Sequence, residues 1–138
     1  MTSRAALRRA WVWGPVAAYL GLIFYLSGQS SVGWATPYPD VLLHAAEYSA
    51  LGVLLARGLN DGLARSVPDR RLVLTWVLCV IYAASDEYHQ AFVPGRSSDW
   101  RDVLSDAAGT AAGLALLSLV LDRLDWSRRP LRWFRPTS

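Results

Sequence analysis

Leu72–Phe92 reads LVLTWVLCVIYAASDEYHQAF, an apolar run whose last third turns polar. Its length matches the roughly 20 residues that a helix needs to cross the hydrocarbon core of a bilayer. Arg70 and Arg71 stand immediately before it, and Val93-Pro94-Gly95-Arg96 follows it. Proline and glycine disfavour continuation of a helix. The stretch therefore predicts one membrane helix with a basic entrance and an abrupt stop.

Working outward, three more blocks of this kind occur, at Trp11–Ser27, Val41–Leu59 and Val103–Leu124. The overall composition, 53% hydrophobic, would also suit a soluble domain. Its division into blocks decides the class: an all-α, polytopic bundle of four transmembrane helices. Residues 1–124 form the membrane domain, and residues 125–138 form a basic, aromatic cytoplasmic tail. The helices are expected over Trp11–Ser27, Val41–Arg57 and Leu72–Phe92, with the fourth starting near Asp102, as N-cap or first-turn acid, and ending its apolar run near Leu121. Between them lie Gly28–Asp40, with Pro37 and Pro39, then the breaker-rich link Gly58–Arg71, then the short polar loop Ser97–Arg101. The tail either lies along the inner leaflet or is disordered.

Charge sets the orientation. All 14 basic residues are Arg, and twelve of them flank the chain start, the link between the second and third blocks, or the end of the fourth. Only Arg96 and Arg101 fall in the other connections, whereas seven of the 11 acids fall on that side. Basic flanks stay cytoplasmic, so both termini are expected inside, with Trp11, Trp13 and Trp34 at the interfaces. Arg residues placed this way point to a bilayer and not to nucleic acid. The first block is expected to remain as a span, since its removal as a signal peptide would break the charge pattern. Cys79, the one cysteine, lies inside the third block and is read as a small buried hydrophobe.

Ionisable residues within membrane helices are costly and usually face the protein interior. Here His44, Glu47 and Tyr48 lie near the start of the second helix. Asp86, Glu87, His89 and Gln90 lie near the end of the third, and Asp102 and Asp106 near the start of the fourth. In an up-and-down bundle all three groups share one depth, near the outer surface. Helical spacing places His44, Glu47, Tyr48 and Leu51 on one face, as it does Tyr82, Asp86, His89 and Gln90. Asp102, Asp106, Gly109 and Gly113 form a third stripe, whose Gly-x-x-x-Gly pair permits close helix approach and suggests a central fourth helix. Glu87 lies about 100° from Asp86 around the helix, so the two need not share a cavity.

At these residues the sequence resembles the VanZ-like family of bacterial membrane proteins. Asp86-Glu87-Tyr88-His89-Gln90-Ala91-Phe92-Val93-Pro94-Gly95-Arg96 is similar to the family's DE-x-HQ-x-F-x-PGR signature, with eight signature positions in eleven residues. Asp102, Gly109 and Gly113 match the helix that follows, and His44, Tyr48, Leu51 and Gly52 match the family's second-helix pattern. Asp106 stands where many members have Asn, and Val41 where many have Lys. The family's named member is associated with resistance to the glycopeptide antibiotic teicoplanin, so the resemblance implies a role facing the cell envelope of a bacterial cytoplasmic membrane.

Three functions compete for these residues. In the first, the site binds or acts on an envelope lipid, a phospholipid headgroup or a lipid-linked precursor. His44, Glu47, Asp86, Glu87 and His89 are then the candidate catalytic groups, with the histidines moving protons. Tyr48, Gln90, Arg96, Arg101, Asp102 and Asp106 are the candidate substrate-binding groups. Arg96 is expected to be held by acids while its guanidinium forks onto an anion, and Asp86, Glu87 and Asp102 are weighed as ligands of a hard divalent ion. In the second, the polar residues form a hydrogen-bonded network in a structural or accessory protein. The third is a proton-coupled transporter, which lacks a polar track toward the cytoplasm. No glycine-rich phosphate loop, dinucleotide fingerprint, H-E-x-x-H or cysteine-based metal motif is visible. The residues therefore name no cofactor, no metal and no oligomeric state.

Overall fold

The computed structural model of the chain describes residues 2–30, 40–63 and 66–127, which form four α-helices and no strand. These are α1 (Thr2–Ser27), α2 (Asp40–Leu59), α3 (Asp69–Gln90) and α4 (Trp100–Ser127). Trp34, Pro37, Pro39, Arg65 and the tail beyond Ser127 lie outside the described residues.

The helices overrun the apolar blocks, because hydropathy registers the part of a helix that avoids water and not its ends. α1 starts at Thr2, ahead of Trp11, through a stretch rich in Ala, Leu and Arg, all good helix formers. α3 starts behind Pro68, whose extended backbone ends the preceding segment, and has Asp69 in its first turn. A negative charge there complements the helix dipole. It stops at Gln90, two residues before Phe92. Phe92 N–H then bonds the His89 carbonyl and Arg96 N–H the Val93 carbonyl as the chain tightens into turns. Gly95 takes φ 83°, a left-handed conformation that glycine adopts without strain. The cap of α4 is Asp99 and not Asp102: its Oδ1 accepts from Arg101 N–H at 2.9 Å, while Asp102 sits in the first turn.

Successive helices run antiparallel. The ends of α1 and α3 meet the starts of α2 and α4 at one end of the bundle, the polar end, as the bonds Ser27–Asp86 and Ser105–Val41 require. At the opposite, basic end Arg8 pairs with Asp61, and Arg71 donates to the Asn60 side chain at 2.7 Å. Pro15 lies inside α1. Its missing N–H leaves the Trp11 carbonyl, one turn back, without a helical donor. Arg57 of α2 supplies one: Nη2 donates to Trp11 O and Nη1 to Val12 O, each at 3.1 Å, with the guanidinium 5.6 Å above the Trp11 ring.

The closest packing joins α2 to α4. A Cβ on Gly109 would lie 2.5 Å from Ala45 Cα, and one on Gly113 would lie 2.7 Å from the Ser49 carbonyl oxygen. Small residues permit that approach. α4 is nevertheless not central. It touches α2 and α3 but not α1, whereas α2 and α3 each touch every other helix. The glycine pair therefore marks one tight seam and not the axis of the bundle. Ile23, Tyr48, Leu51, Cys79 and Ala83 form a core toward the polar end, and Ala56, Val67, Leu114, Leu117 and Leu121 form one toward the basic end.

Two helices, over Ser3–Ser27 and Trp100–Leu124, are long and apolar enough to cross a membrane. Only 22% and 33% of their apolar windows are buried inside the molecule, whereas the core helix of a soluble protein is mostly buried. Leu22, Phe24 and Tyr25 of α1 and Leu116 and Leu119 of α4 are exposed. Broad apolar surface of this kind calls for an apolar partner or a lipid environment. α2 and α3 do not meet the same combination of length, hydropathy and charge; both carry ionisable side chains, Glu47 and Arg57 in α2 and Asp86 and Glu87 in α3.

Candidate functional site

The α2–α4 seam sets the first half of the polar end. Gly109 brings the backbone of α4 onto Ala45, so the preceding residue, His44, faces Asp106, one turn before Gly109. His44 Nδ1 lies 3.2 Å from Asp106 Oδ1, an ion pair whenever the imidazole is protonated. Beside it Ser105 Oγ donates to the Val41 carbonyl at 2.6 Å. Asp106 is thus matched by a histidine on the facing helix.

α3 sets the second half. Asp86 and Glu87 are both buried and point apart, as their angular separation predicts. Asp86 turns toward α1: Oδ1 accepts from Ser27 Oγ at 2.6 Å and Oδ2 from Gln90 Nε2 at 3.0 Å. Glu87 turns toward the connection into α4, where Oε2 accepts from Asp99 N–H at 2.8 Å. Its other oxygen, Oε1, is buried and has no partner within bonding distance among the described residues, although the Ser98 side chain lies beside the same carboxylate. Among the described residues no three His, Cys, Asp or Glu side chains come together as a metal site would need, so Asp86, Glu87 and Asp102 do not form the ligand set considered from the sequence. The divergence of Asp86 from Glu87 is the reason.

Glu47 and Tyr48 lie between these halves. Glu47 is half-buried and within electrostatic reach of His44, Asp86, Asp106 and Arg96. Its carboxylate has no hydrogen-bond partner among the described residues. Its main-chain carbonyl accepts from Tyr19 Oη of α1 at 3.2 Å. Tyr48 is fully buried, its ring 6.4 Å from that of Tyr82, and its hydroxyl has no partner among the described residues.

The remaining candidates sit at the rim. His89 stacks on Phe24 of α1, centroids 4.6 Å apart, and so faces away from the His44–Asp106 pair. Arg96 has no acidic partner among the described residues, contrary to expectation. Nε donates to the Gln29 carbonyl and Nη2 to the Leu26 carbonyl, each at 3.1 Å. The last carbonyls of a helix lack intrahelical donors, and Arg96 binds the turn that closes α1, adding a second donor at the Leu26 carbonyl, which also accepts from Gln29 N–H. Arg101 is exposed and enters the network only through its main-chain N–H, and Asp102 is half-buried within electrostatic reach of His44 and Glu87. Sequence reasoning missed Ser27, Asp99 and Tyr19. Ser27 closes the first block beside Gly28, and Asp99 precedes a helix start, the position where acids cap; nothing in the sequence marked Tyr19.

The arrangement therefore consists of ionisable side chains from α2, α3 and α4, gathered at one end of a helical bundle whose outer faces are apolar. That combination defines a helical membrane-type protein with a polar end. The family model for VanZ/LLP1 matches residues 13–121, and the chain belongs to the VanZ/LLP1 family. None of the curated proteins and none of the solved structures compared with the chain matches it.

Proposed function

We propose that the chain is a multi-pass protein of the bacterial cytoplasmic membrane, spanning it four times with both termini in the cytoplasm. Its polar end lies at the outer face and receives the headgroup of an envelope lipid or a lipid-linked precursor. Family membership, two helices apolar enough to span, the antiparallel course of all four and the one-sided Arg distribution support the topology. The observation that carries the functional reading is the convergence of His44, Glu47, Asp86, Glu87 and Asp106 from three helices at that end. Ionisable groups placed in membrane helices are retained at an energetic cost and mark functional sites.

One observation favours a second reading, a structural or accessory protein. Asp86, Glu87 and Asp106 each already have a protein partner, so part of the network holds helices together. Glu47→Gln separates the two, because it removes a charge whose carboxylate makes no hydrogen bond with the described residues. Under the headgroup reading the variant accumulates normally and loses lipid retention or envelope protection against a glycopeptide. Under the structural reading abundance, retention and protection change together or not at all. His89→Ala is expected to follow the structural pattern, since it removes the stack on Phe24.

A further inference from the structure

The polar end is short of donors. Asp86 is satisfied by Ser27 and Gln90, Asp106 by His44, and one oxygen of Glu87 by Asp99. Arg96, the cation that overhangs the site, has turned two of its N–H groups to the carbonyls of α1. What remains unfilled is Glu87 Oε1 and the Tyr48 hydroxyl, both buried, and the Glu47 carboxylate, which lacks a partner among the described residues. Glu87 is 5% exposed. A carboxylate oxygen can only accept unless it is protonated, and a buried polar atom without a partner asks for an explanation. The same end carries exposed aromatic rings: Tyr88 and Phe92 in edge-to-face contact at 5.1 Å, and Trp100 at the start of α4. Aromatic residues of this kind settle at the headgroup level of a bilayer, and their faces attract cations.

We infer that the headgroup recognised at this end is a donor, the ammonium group of a zwitterionic lipid, received by Glu87, with Glu47 as a second acidic charge at the same end, and approached past Tyr88, Phe92 and Trp100. This rests on the headgroup reading above and names its chemistry. An ammonium offers three hydrogen bonds and a positive charge, which is what a buried carboxylate with an unfilled oxygen lacks. Entry requires the 91–99 connection to move aside from Glu87 Oε1, and the bond from Asp99 N–H to Oε2 is the latch on that movement.

Native mass spectrometry of the purified full chain, equilibrated with equimolar phosphatidylethanolamine and phosphatidylglycerol of identical acyl chains, tests it. Both lipids carry the phosphate, and only one carries the ammonium. The chain is expected to retain phosphatidylethanolamine over phosphatidylglycerol by about tenfold, the worth of one charge-assisted hydrogen bond. Glu87→Gln should bring the ratio close to one, because Gln still accepts from Asp99 N–H but presents no charge. Glu47→Gln should lower the ratio as well, and serves if Glu87→Gln does not fold. Equal retention of the two lipids by the wild-type chain, or preference for phosphatidylglycerol, would overturn the donor assignment and leave the headgroup reading standing. Retention of neither above diacylglycerol would overturn both. Soluble glycerophosphoethanolamine competing as well as the lipid would overturn the assignment to a lipid headgroup.

Discussion

Arg57 donates to the main-chain carbonyl of Trp11, the one carbonyl that Pro15 deprives of its helical donor. A proline in one helix is thereby answered by an arginine in the next. The bond is charge-assisted, and such bonds contribute about 1.5–3 kcal/mol when their partner would otherwise be left unpaired. Arg57→Leu should destabilise the bundle by an amount of that order. Pro15→Ala restores the N–H at position 15, so the same Arg57→Leu change should cost less in that background. Thermal unfolding of the four proteins in one detergent measures the difference, and equal costs in both backgrounds would show that Arg57 does not act through the Trp11 carbonyl.

Gly109→Ala is expected to be among the most damaging single changes in the chain. The added methyl group would overlap the Ala45 backbone, which cannot rotate away as a side chain would. Forced overpacking costs about 1–3 kcal/mol. Gly21 of α1 has nothing within 4 Å of its would-be Cβ. Gly21→Ala should therefore gain helix propensity, about 1 kcal/mol, without a clash. Opposite signs for the two glycines in one melting experiment are the expected result.

The His44–Asp106 contact should weigh less than the glycine seam beside it. Interhelical hydrogen bonds in membrane proteins couple by about 0.6 kcal/mol on average and by at most about 1.7 kcal/mol. A double-mutant cycle over His44→Gln and Asp106→Asn should return a coupling in that range. A value several-fold larger would mean that the pair, and not the fit of Gly109 on Ala45, holds α4 to α2.

Arg96→Ala should loosen the end of α1 before it affects the rest of the bundle, because the bonds it removes go to the Leu26 and Gln29 carbonyls. Hydrogen exchange should quicken over residues 26–30 and stay unchanged across the α2–α4 seam. Arg96→Lys should fall between, since an ammonium lacks the planar fork that spans two carbonyls.

The number of helices and their order were legible because four apolar blocks are separated by breaker-rich links, and the meeting of His44, Glu47, Asp86 and Asp106 at one end followed from alternation of direction alone. The stripe containing Gly109 and Gly113 correctly announced close packing, but a stripe does not say which helix it meets, so its place beside α2 and away from α1 was not foreseeable. The partners of Arg96 were misjudged for a related reason. A sequence displays side-chain charges and hides main-chain carbonyls, and the acceptors that Arg96 meets are the Leu26 and Gln29 carbonyls where α1 ends. Helix ends such as Thr2 were missed because residues beyond the apolar core cost nothing to keep helical.

α1 and the turn after it meet their neighbours partly through the backbone. The carbonyls of Trp11, Val12, Leu20, Leu26 and Gln29 accept from Arg57, Tyr82 and Arg96. Every residue type supplies a carbonyl, so these acceptors survive almost any substitution, whereas each donor is a particular side chain. A saturation mutagenesis map should consequently be lopsided where the acceptor residue's own side chain is exposed: permissive at Leu26 and Gln29 and intolerant at Arg96, although the two sides make the same bonds.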